Sequence, residues 1–478
     1  MLLSELLKEI GRESPCGDAE ILRVTDRLDA VLPGSLFVAM EGKTLDGHTL
    51  ADQALEKGAF AVVTGRSLGK GREIVVRDPR SAFSALCAAF YGHPDRELRL
   101  IGITGTNGKT STAEYLRTLL TRTGRTCGLI GTLGCGVGDE LTDSGYTTPG
   151  SDAFFAALRQ MADGGCGYCA AEISSQALSQ ARAEAASFAL GVLTNIGRDH
   201  LDYHGKLSEY VAAKSRLFRL SETALLNADD AYCEQIASMA GLTECLTYSV
   251  RGNYADYMVR RRRESASGVR FEIVRGKERA PFALPPVCEF TVYNVLAAVA
   301  AAHCMGVSLE EAATALKDLP PVKGRMQRIG AAGVDVYIDF AHTPEALTAA
   351  LKGLRRMAKG RLTVVFGCGG DRDRGKRPEM GRAAAAFADT VIVTSDNPRG
   401  EDPEAIIAQV TAGMPPKSHV FTQPDREKAI ALAIHQAAPG DVILVAGKGH
   451  EEYQIVSGGK IPFSDEAVVR RLLCGGRQ

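Results

Sequence analysis

The sequence predicts an α/β protein of three domains built around parallel sheets. The chain has 478 residues, which suggests about three domains at roughly 150 residues each. From "LRLIGITG" onward, short runs rich in valine, isoleucine and leucine alternate with helical patterns, as in parallel sheets connected by helices. This alternation restarts after "VKGRMQRIG" (322–330). We therefore expect domains over residues 1–97, 98–327 and 328–478.

The first domain is expected to be a small α/β unit, and the second begins with a strand. "MLLSELLKEI" has the spacing of an amphipathic helix, and its early acidic residue does not fit a signal peptide. "GSLFVAM" and "AFAVVTG" are expected to be strands with the helix "LADQALEKG" between them. In the second domain the strand "LRLIGIT" precedes the helix "STAEYLRTLLTRTG", and the helix "DAFFAALRQMADGG" precedes the strand "YCAAEIS". "RRRESASG" (261–268) is polar and predicts a solvated hairpin or loop.

The third domain shows four strands, each followed by a polar or glycine-rich loop. They are "VDVYIDFAH", "RLTVVFGCGG", "TVIVTSDN" and "DVILVAGKG". The helix between the first two places Leu347, Leu351, Leu354 and Met357 on one face. Ligands of open parallel sheets bind beyond the carboxyl ends of the strands, so we expect the functional residues in these loops.

The composition is that of an ordinary globular protein, with 45% apolar and 24% charged residues. A formal net charge of −1 gives no basic surface for nucleic acid, so an anionic ligand must be held by local positive groups. No apolar run approaches the roughly 20 residues that span a bilayer. We expect a cytoplasmic protein without nucleic-acid binding or membrane insertion. The lone pair Cys166 and Cys169 is weak as a zinc site and predicts reduced thiols.

A glycine-rich loop follows the first strand of the second domain and opens a helix. "GTNGKTS" consists of Gly105, Thr106, Asn107, Gly108, Lys109, Thr110 and Ser111. Its glycines let the backbone wrap a phosphate with the N–H groups turned inward, and the helix N-terminus adds a favourable dipole. Lys109 supplies a point charge and Thr110 a hydroxyl for Mg²⁺. A plain glycine turn is the alternative, but Gly-Lys-Thr between strand and helix favours a nucleoside triphosphate.

Three further groups are expected to converge on this loop. Glu172 ends the strand "YCAAEIS", His200 lies in "TNIGRDHLDYHG" (194–205), and Lys214 lies on the helix "YVAAKSRLF". A carboxylate suits Mg²⁺, and His200 could hold a second cation. Each group also has a simpler interpretation. The acids and histidines of 194–205 could be surface loop residues, and Lys214 alone would be a solvated helix lysine.

Together these motifs resemble the Mur ligases, ATP-dependent amide-forming enzymes of cell-wall precursor synthesis. The resemblance continues through "VYN" (292–294), "GRM" (324–326), "DFAHTPEAL" (339–347), "FGCGGDRDRGKRP" (366–378), "SDNPR" (395–399) and "GKGHEEYQ" (447–454). It implies a uridine-binding first domain, a P-loop ATPase-like second domain, and a Rossmann-like third domain that binds an amino acid and closes over ATP. It also implies that CO₂ carbamylates Lys214, because an ammonium would repel Mg²⁺ whereas a carbamate can bind it.

The resemblance assigns further ligands and catalytic groups. Lys109, Glu172, His200 and Lys214 match catalytic positions, and His200 or water could serve as the general base. The implied Mg²⁺ ligands are Thr110, Glu172, His200 and the carbamate of Lys214. Asn294 and Arg325 match positions that hold the base and phosphates of ATP, and Asp339 matches a ribose ligand. The implied contacts to the UDP-sugar peptide are Leu28, Lys43, Thr44, Asp46, Thr147, Thr148, Ser174, Gln180 and Arg182.

Two departures from the family pattern concern the acceptor substrate. "TDRLDA" stands where Asp-Ser-Arg is expected, so that Leu28 replaces the serine. This weakens the uridine contacts, although not the expected domain. Gln176 stands where the family usually has histidine after Ser-Ser. Glutamine can still hydrogen-bond, but it cannot titrate.

The loop "SDNPR" indicates which amino acid is added. Relatives that add meso-diaminopimelate carry Asp-Asn-Pro-Arg, as here. Diaminopimelate ends in a second amino-acid head with a carboxylate that lysine lacks, and Arg399 can pair with it through two hydrogen bonds. Glu451 can take the distal ammonium with help from the Gly447 backbone, and Arg372 matches the residue that holds the near carboxylate. The implied set is Arg372, Asp396, Asn397, Pro398, Arg399, Gly447 and Glu451.

The resemblance therefore implies a monomeric ligase that joins meso-diaminopimelate to UDP-N-acetylmuramoyl-L-Ala-D-Glu through an acyl phosphate formed from ATP. One alternative is the same ligase using L-lysine or another diamino acid. A second alternative is a ligase like folylpolyglutamate synthetase. Residues 1–97 argue against it, because that enzyme lacks a uridine domain before the phosphate loop. A third is a non-catalytic ATP-binding protein, against which the retention of Glu172, His200 and Lys214 speaks.

Overall fold

The structure, a computed structural model, describes residues 1–42, 45–265, 267–331 and 333–475. The expected contacts of Lys43 and Thr44 therefore lie outside the described residues. Three sheets follow one another along the chain, with helices between their strands, which confirms the α/β class. Within the described ranges, no helix is both long enough and apolar enough to cross a membrane.

The first sheet is small and fully parallel. Its four strands follow the order β1-β2-β3-β4, namely β1 (Arg23–Thr25), β2 (Ser35–Val38), β3 (Ala61–Thr64) and β4 (Glu73–Val75). The helices are α1 (Leu3–Lys8), α2 (Ala51–Glu56) and α3 (Pro79–Phe90). The predicted amphipathic helix is confirmed, since Leu3, Leu6 and Leu7 of α1 are buried. Asp78 begins α3 by accepting hydrogen bonds from the N–H groups of Arg80 and Ser81.

The second sheet has eleven strands in the order β15-β14-β13-β12-β11-β10-β5-β9-β6-β7-β8. They are β5 (Arg99–Thr104), β6 (Cys127–Gly131), β7 (Gly134–Val137), β8 (Glu140–Thr142), β9 (Tyr168–Glu172), β10 (Leu190–Leu193), β11 (Ala224–Asn227), β12 (Leu246–Ser249), β13 (Tyr257–Ser265), β14 (Gly268–Arg275) and β15 (Glu278–Leu284). The centre is parallel, whereas antiparallel hairpins extend both edges. The polar "RRRESASG" segment forms one of these hairpins.

Eight helices accompany this sheet in the described chain: α4 (Lys109–Arg122), α5 (Ser151–Asp163), α6 (Ser175–Ser179), α7 (Leu201–His204), α8 (Leu207–Arg219), α9 (Cys233–Ala240), α10 (Glu289–Cys304) and α11 (Leu309–Ala315). α10 is apolar around most of its circumference and is buried against α4 in one core cluster. This packing holds the start of α4, and with it the glycine-rich loop, at a fixed place on the sheet.

The third sheet has six strands in the order β16-β17-β21-β18-β19-β20. They are β16 (Gln327–Ala331), β17 (Val334–Asp339), β18 (Leu362–Phe366), β19 (Thr390–Val393), β20 (Val420–Thr422) and β21 (Val442–Ala446), and a separate hairpin contains β22 (Tyr453–Val456) and β23 (Gly459–Pro462). Helices α12 (Pro344–Met357), α13 (Lys376–Phe387), α14 (Pro403–Thr411), α15 (Arg426–Gln436) and α16 (Asp465–Gly475) complete this part. The predicted apolar face of α12 is confirmed, with Leu347, Leu351 and Leu354 fully buried and Met357 partly buried against the same core cluster.

Both larger sheets turn the carboxyl ends of their parallel strands toward one cavity of about 1500 Å³. From the second sheet, β5 leads into the glycine-rich loop, β9 ends at Glu172, and β10 leads into Thr194–His200. From the third, β17 ends at Asp339, β19 leads into the loop of Asp396, and β21 leads into Gly447. The residues that the sequence predicts to be functional therefore lie beyond the carboxyl ends of the strands.

Candidate active site

The glycine-rich loop has the geometry of a phosphate-binding loop. Gly105 and Gly108 have φ angles of 148° and 87°, and Gly108 directly precedes α4. A Cβ atom at Gly105 would lie 1.9 Å from Thr194 Oγ1, and one at Gly108 would lie 2.4 Å from Asn294 Oδ1. Both positions therefore require glycine. The predicted ATP ligand Asn294 accordingly lies directly against this loop.

Lys109 is half-buried and folds back over the loop. Its Nζ donates hydrogen bonds to the carbonyl oxygens of Gly105 and Thr106, at 2.9 and 3.0 Å. Withdrawal from water lowers the pKa of Lys109, although Glu172 and Asp199 favour its charged form. An ammonium held only by carbonyl oxygens is ready to exchange them for the oxygens of a phosphate.

Glu172 is almost fully buried at the end of β9, where it meets Thr110. Its Oε2 accepts a hydrogen bond from Thr110 Oγ1 at 2.9 Å, and its Oε1 accepts one from the N–H of Thr132 at 2.8 Å. Burial raises the pKa of Glu172, and Lys109 counteracts this effect. A carboxylate and a hydroxyl oxygen beside a phosphate loop are the kind of ligands that Mg²⁺ prefers, so these two residues fit the expected metal.

Lys214 on α8 is buried, with 1% of its surface exposed. Its Nζ donates a hydrogen bond to the carbonyl oxygen of Gly105 at 2.7 Å and lies 4.6 Å from the centre of the Tyr210 ring. Within the described residues it forms no ion pair. Burial lowers the pKa of Lys214 far below its ordinary value, and the nearby charge of Lys109 lowers it further. The interpretation of Lys214 as a solvated surface lysine is therefore wrong.

His200 is less closely integrated than the other predicted ligands. It has a left-handed φ of 53°, and 45% of its side chain is exposed. Its Nε2 lies 3.5 Å from Asp199 Oδ2, and no hydrogen bond or ion pair in the described chain joins it to Glu172 or Lys214. Partial removal from water lowers the pKa of His200 to about 4, although Asp199 favours the cation. A neutral imidazole can bind a metal or accept a proton.

The described residues contain no group of three or more His, Cys, Asp or Glu side chains placed to hold a metal ion. A Mg²⁺ site at Glu172 therefore depends on ligands of other kinds. Thr110 Oγ1, nucleotide oxygens and a modified lysine are such ligands.

The third sheet contributes Arg325 and Asp339 to the nucleotide side of the cavity. Arg325 Nη2 lies 3.2 Å from Thr110 Oγ1, and its guanidinium stacks 4.4 Å from the centre of the Phe340 ring. Asp339 accepts hydrogen bonds from the N–H groups of Met326 at 2.7 Å and Ala341 at 2.8 Å. The segments around 325 and 339 are thereby fixed against the phosphate loop, although they lie more than 200 residues away in sequence.

The expected peptide-side residues form one hydrogen-bonded group next to Glu172. Thr148 Oγ1 donates to the carbonyl oxygen of Glu172 at 2.8 Å and accepts from the N–H of Ser174 at 3.0 Å. Arg182 donates to the carbonyl oxygen of Thr148 at 2.6 Å and to Gln180 Oε1 at 2.8 Å. Thr147 Oγ1 accepts from Thr132 Oγ1 at 3.1 Å and so also joins this group.

Leu28 and Asp46, the two described residues expected to contact uridine, have contacts within the first domain. Leu28 packs against a small apolar cluster beneath the first sheet. The Asp46 carboxylate lies 2.6 Å from His48 Nδ1 and 2.6 Å from Arg66, and hydrogen bonds from His48 lower the pKa of Asp46 to about 2. The structure thus uses both residues for internal packing and pairing.

The loop "SDNPR" lies at the carboxyl end of β19, next to the end of β21. Arg399 has a left-handed φ of 52°, and its Nη1 donates to the carbonyl oxygen of Gly370 at 2.8 Å. Asn397 Nδ2 donates to Glu451 Oε2 at 3.0 Å. Arg372 is half-exposed, 3.5 Å from Asp202. Asp396 lies beside Gly447, where a Cβ atom would come within 3.4 Å of Asp396 Oδ2.

Sequence reasoning overlooked two groups in this region. Lys448 is fully buried beneath the loop and bonds to both Asn397 and Glu451. The glycines on both sides of it, directly after a buried strand, were the available signal. His342 lies 3.6 Å from Asp199, and this pair connects the segment of His200 to the third sheet. Nothing in the local sequence links these two residues.

Comparisons with known proteins place these features in a family. The family described as the Mur ligase middle domain matches residues 103–302, and the Mur ligase glutamate ligase domain matches residues 324–449. A UDP-N-acetylmuramoyl-L-alanyl-D-glutamate–2,6-diaminopimelate ligase from Geobacillus kaustophilus is 42% identical over 467 residues, covering 95% of each chain. A protein of the same name from Thermosynechococcus vestitus is 39% identical and covers 97% of this chain and 95% of its own.

Solved structures show the same likeness. A structure of a ligase with that name is 35% identical, covers 99% of both chains and superposes with a TM-score of 0.72. A Mycobacterium tuberculosis folylpolyglutamate synthase complexed with ADP and AMPPCP has a TM-score of 0.62 and covers 82% of this chain and 94% of its own. At 18% identity, the second likeness shows a shared fold alone.

Proposed function

We propose that this chain, which belongs to the Mur ligase family, joins meso-diaminopimelate to the D-glutamate carboxylate of UDP-N-acetylmuramoyl-L-Ala-D-Glu with consumption of ATP. The observation that carries this proposal is the shared cavity. A phosphate loop with a buried acid opens into it from one sheet, and the Asp-Asn-Pro-Arg loop opens into it from another. The product of such a reaction is a peptidoglycan precursor.

The reaction proceeds in two steps. The D-glutamate carboxylate attacks the γ-phosphorus of ATP, ADP leaves, and an acyl phosphate forms. The neutral amine of diaminopimelate then attacks the acyl carbon, phosphate leaves, and the amine loses a proton. Lys109 and the N–H groups of the loop hold the phosphoryl oxygens, so that catalysis rests on positioning and electrostatic stabilisation. Water accepts the amine proton, or His200 does when it is not bound to a metal, because with a pKa of about 4 it is neutral at pH 7.

Thr110, Glu172, His200 and a carbamate on Lys214 would hold Mg²⁺. Bound Mg²⁺ supplies positive charge to the phosphate oxygens. The carbamate is supported by the state of Lys214, because only a neutral amine attacks CO₂, and burial favours the neutral form. The attack joins Nζ to the carbon of CO₂ and releases one proton. An unmodified ammonium at this place would repel both Lys109 and the metal.

The pocket for the incoming amino acid binds two charged groups at the distal end of the substrate and one at its near end. Arg399 binds the distal carboxylate, Glu451 takes the distal ammonium, and Arg372 holds the near carboxylate. The contact that Arg399 makes with a carbonyl oxygen supports this assignment, because its guanidinium has no carboxylate partner among the described residues. A substrate carboxylate can therefore bind it without displacing an internal ion pair.

The three sheets support three domains, at 1–97, 98–327 and 328–478, which bind the UDP-sugar, ATP and the amino acid, respectively. The UDP-sugar peptide extends from the first sheet toward Thr148, Ser174 and Arg182. Leu28 and Asp46 have internal contacts but are only partly buried, so their contacts with uridine stay predictions. A monomeric state and a cytoplasmic location stay predictions.

Release of ADP with defined substrates tests the proposal. We expect release that requires both UDP-N-acetylmuramoyl-L-Ala-D-Glu and meso-diaminopimelate. Release of ADP with a folate and glutamate instead would favour the activity of a folylpolyglutamate synthase, an enzyme whose fold this chain shares. Nucleotide binding without release under any of these conditions would contradict a ligase.

A further inference from the structure

Lys448 is a fully buried lysine beside the amino-acid loop, and the reaction described above does not use it. It follows β21 directly, between two glycines with φ angles of 110° and 55°. These left-handed conformations let the chain turn sharply and direct the lysine inward. Because a buried ammonium is unfavourable unless it is paired, its partners indicate its role.

Three oxygen atoms surround the Lys448 ammonium. Nζ lies 2.9 Å from Glu451 Oε2, donates to Asn397 Oδ1 at 3.1 Å, and lies 3.6 Å from Asp396 Oδ1. The ammonium thus donates hydrogen bonds to Glu451 and Asn397, whereas Asp396 is an ion-pair partner beyond hydrogen-bond distance. All three belong to the set expected to recognise diaminopimelate.

The network fixes the orientation of Asn397. Its Oδ1 accepts hydrogen bonds from Lys448 Nζ and from the N–H of Ile455, the latter at 2.9 Å. An amide whose oxygen has two donors cannot flip without losing both. Its Nδ2 is therefore directed to Glu451 Oε2, at 3.0 Å.

Glu451 is fixed in the same way. Its Oε2 receives hydrogen bonds from both Lys448 and Asn397, whereas its Oε1 receives none from the described residues. Glu451 also lines the cavity. One carboxylate oxygen is thus anchored, and the other is available to a cationic group in the cavity.

The charges of this cluster do not balance. One ammonium faces the two carboxylates of Asp396 and Glu451, and Asp396 Oδ1 is buried without a hydrogen bond. The nearby Arg426 is matched by its own partner Asp465, through two hydrogen bonds of 2.8 Å. Lys448 therefore leaves one of these two carboxylate charges uncompensated, and Arg399 also interacts with both carboxylates. When Arg399 binds the substrate carboxylate, the substrate ammonium restores the balance of charge.

We propose that Lys448 is a positioning residue for the distal head of the incoming amino acid. It anchors Glu451 and Asn397 so that the free carboxylate oxygen meets the substrate ammonium, and it does not itself touch the substrate. The inference rests on the proposed function. Its effect is specific to the amino acid, because Lys448 contacts the amino-acid loop and Glu451 and Tyr453 after β21, and none of its contacts in the described chain reaches the phosphate loop.

The test compares Lys448→Met with Lys323→Met. Lys323 is a matched control, since it pairs at 2.6 Å with Glu452, the residue next to Glu451 in sequence, but its side chain is 49% exposed. For Lys448→Met we expect KM for meso-diaminopimelate to rise roughly 10- to 100-fold, the effect of losing one hydrogen bond between charged groups. KM for ATP, and the positional isotope exchange that reports acyl-phosphate formation, should stay at the wild-type level. Lys323→Met should match the wild type throughout.

Lys448→Arg provides a second variant in case the methionine leaves two unpaired buried acids and prevents folding. Arginine keeps the charge, but its planar fork cannot reach three convergent oxygens as an ammonium does. We expect retained isotope exchange and a raised KM for meso-diaminopimelate. A wild-type KM in either folded variant, or an equal rise in KM for all three substrates, would overturn the inference. Absence of diaminopimelate-dependent ADP release in the wild-type enzyme would instead overturn the proposed function.

Discussion

Replacement of Arg399 by alanine removes the group that is proposed to bind the distal carboxylate of the substrate. Within the protein, the Arg399 guanidinium donates to the carbonyl oxygens of Gly370 at 2.8 Å and Asn397 at 3.5 Å. No ion pair is lost on truncation, but a hydrogen bond from a charged donor is, so the free energy of unfolding should fall by roughly 1.5–3 kcal/mol.

The effect on catalysis should be larger than the effect on stability. A bidentate pair supplies two hydrogen bonds between charged groups, each of about 1.5–3 kcal/mol. Their loss, roughly 3–6 kcal/mol in total, corresponds to a fall of roughly 10²- to 10⁴-fold in kcat/KM for meso-diaminopimelate. Lysine has no distal carboxylate, so its kcat/KM should not fall with the same change.

Steady-state ADP release with each amino acid measures this effect, and isotope exchange in ATP checks that the first step survives. Arg374→Ala is the matched control, because Arg374 lies in the neighbouring loop, is 67% exposed and pairs with Glu401 at 3.2 Å. The control should retain wild-type kinetics. If Arg399→Ala lowers kcat/KM for meso-diaminopimelate and for lysine equally, Arg399 does not recognise the distal carboxylate.

Three further changes test other parts of the site and fold. Lys109→Ala should abolish isotope exchange in ATP, because the loop loses the charge that binds the phosphates; exchange near the wild-type rate would exclude the phosphate-loop role. Lys214→Ala should remove most activity, with partial recovery in a small carboxylic acid and none in Lys214→Arg; an unmodified lysine in an active crystal bound to Mg-ATP would rule out the carbamate. Arg426→Met should lower the free energy of unfolding by about 3–5 kcal/mol in a denaturant titration, because it leaves the fully buried Asp465 unpaired. Arg470→Met, which breaks an exposed pair, should change it by at most about 1 kcal/mol.

Local patterns in the sequence were sufficient to predict strands such as β2, β5, β9 and β17, several helices, and the phosphate loop. A strand such as β5 is defined by its own apolar residues, and Gly105 and Gly108 signal their conformation directly. The order of the eleven strands in the second sheet was not predictable in this way. The order depends on which strands pair with each other, and the residue pattern of one strand does not specify its neighbouring strand.

Residues of the site were predictable from the sequence only where the residue type and its motif indicate a chemical role. Lys214 has the sequence surroundings of a surface helix lysine, and only tertiary packing shows its burial. Lys448 was overlooked because its role arises from contacts with Asn397, which is 51 residues away in sequence. The contacts of Asp46 with His48 and Arg66 were likewise not predictable from its match to a ligand position, and its contact with uridine stays a prediction.

The most direct test of the account compares meso-diaminopimelate with L-lysine in the wild-type enzyme, with ATP and UDP-N-acetylmuramoyl-L-Ala-D-Glu held at saturation. Lysine would leave the guanidinium of Arg399 without its carboxylate, and a site built for such a group rejects an analogue that lacks it by roughly 10⁴-fold or more. We therefore predict a kcat/KM for meso-diaminopimelate that exceeds the value for L-lysine by about that factor. Comparable values for the two amino acids would contradict the proposed role of the Asp-Asn-Pro-Arg loop.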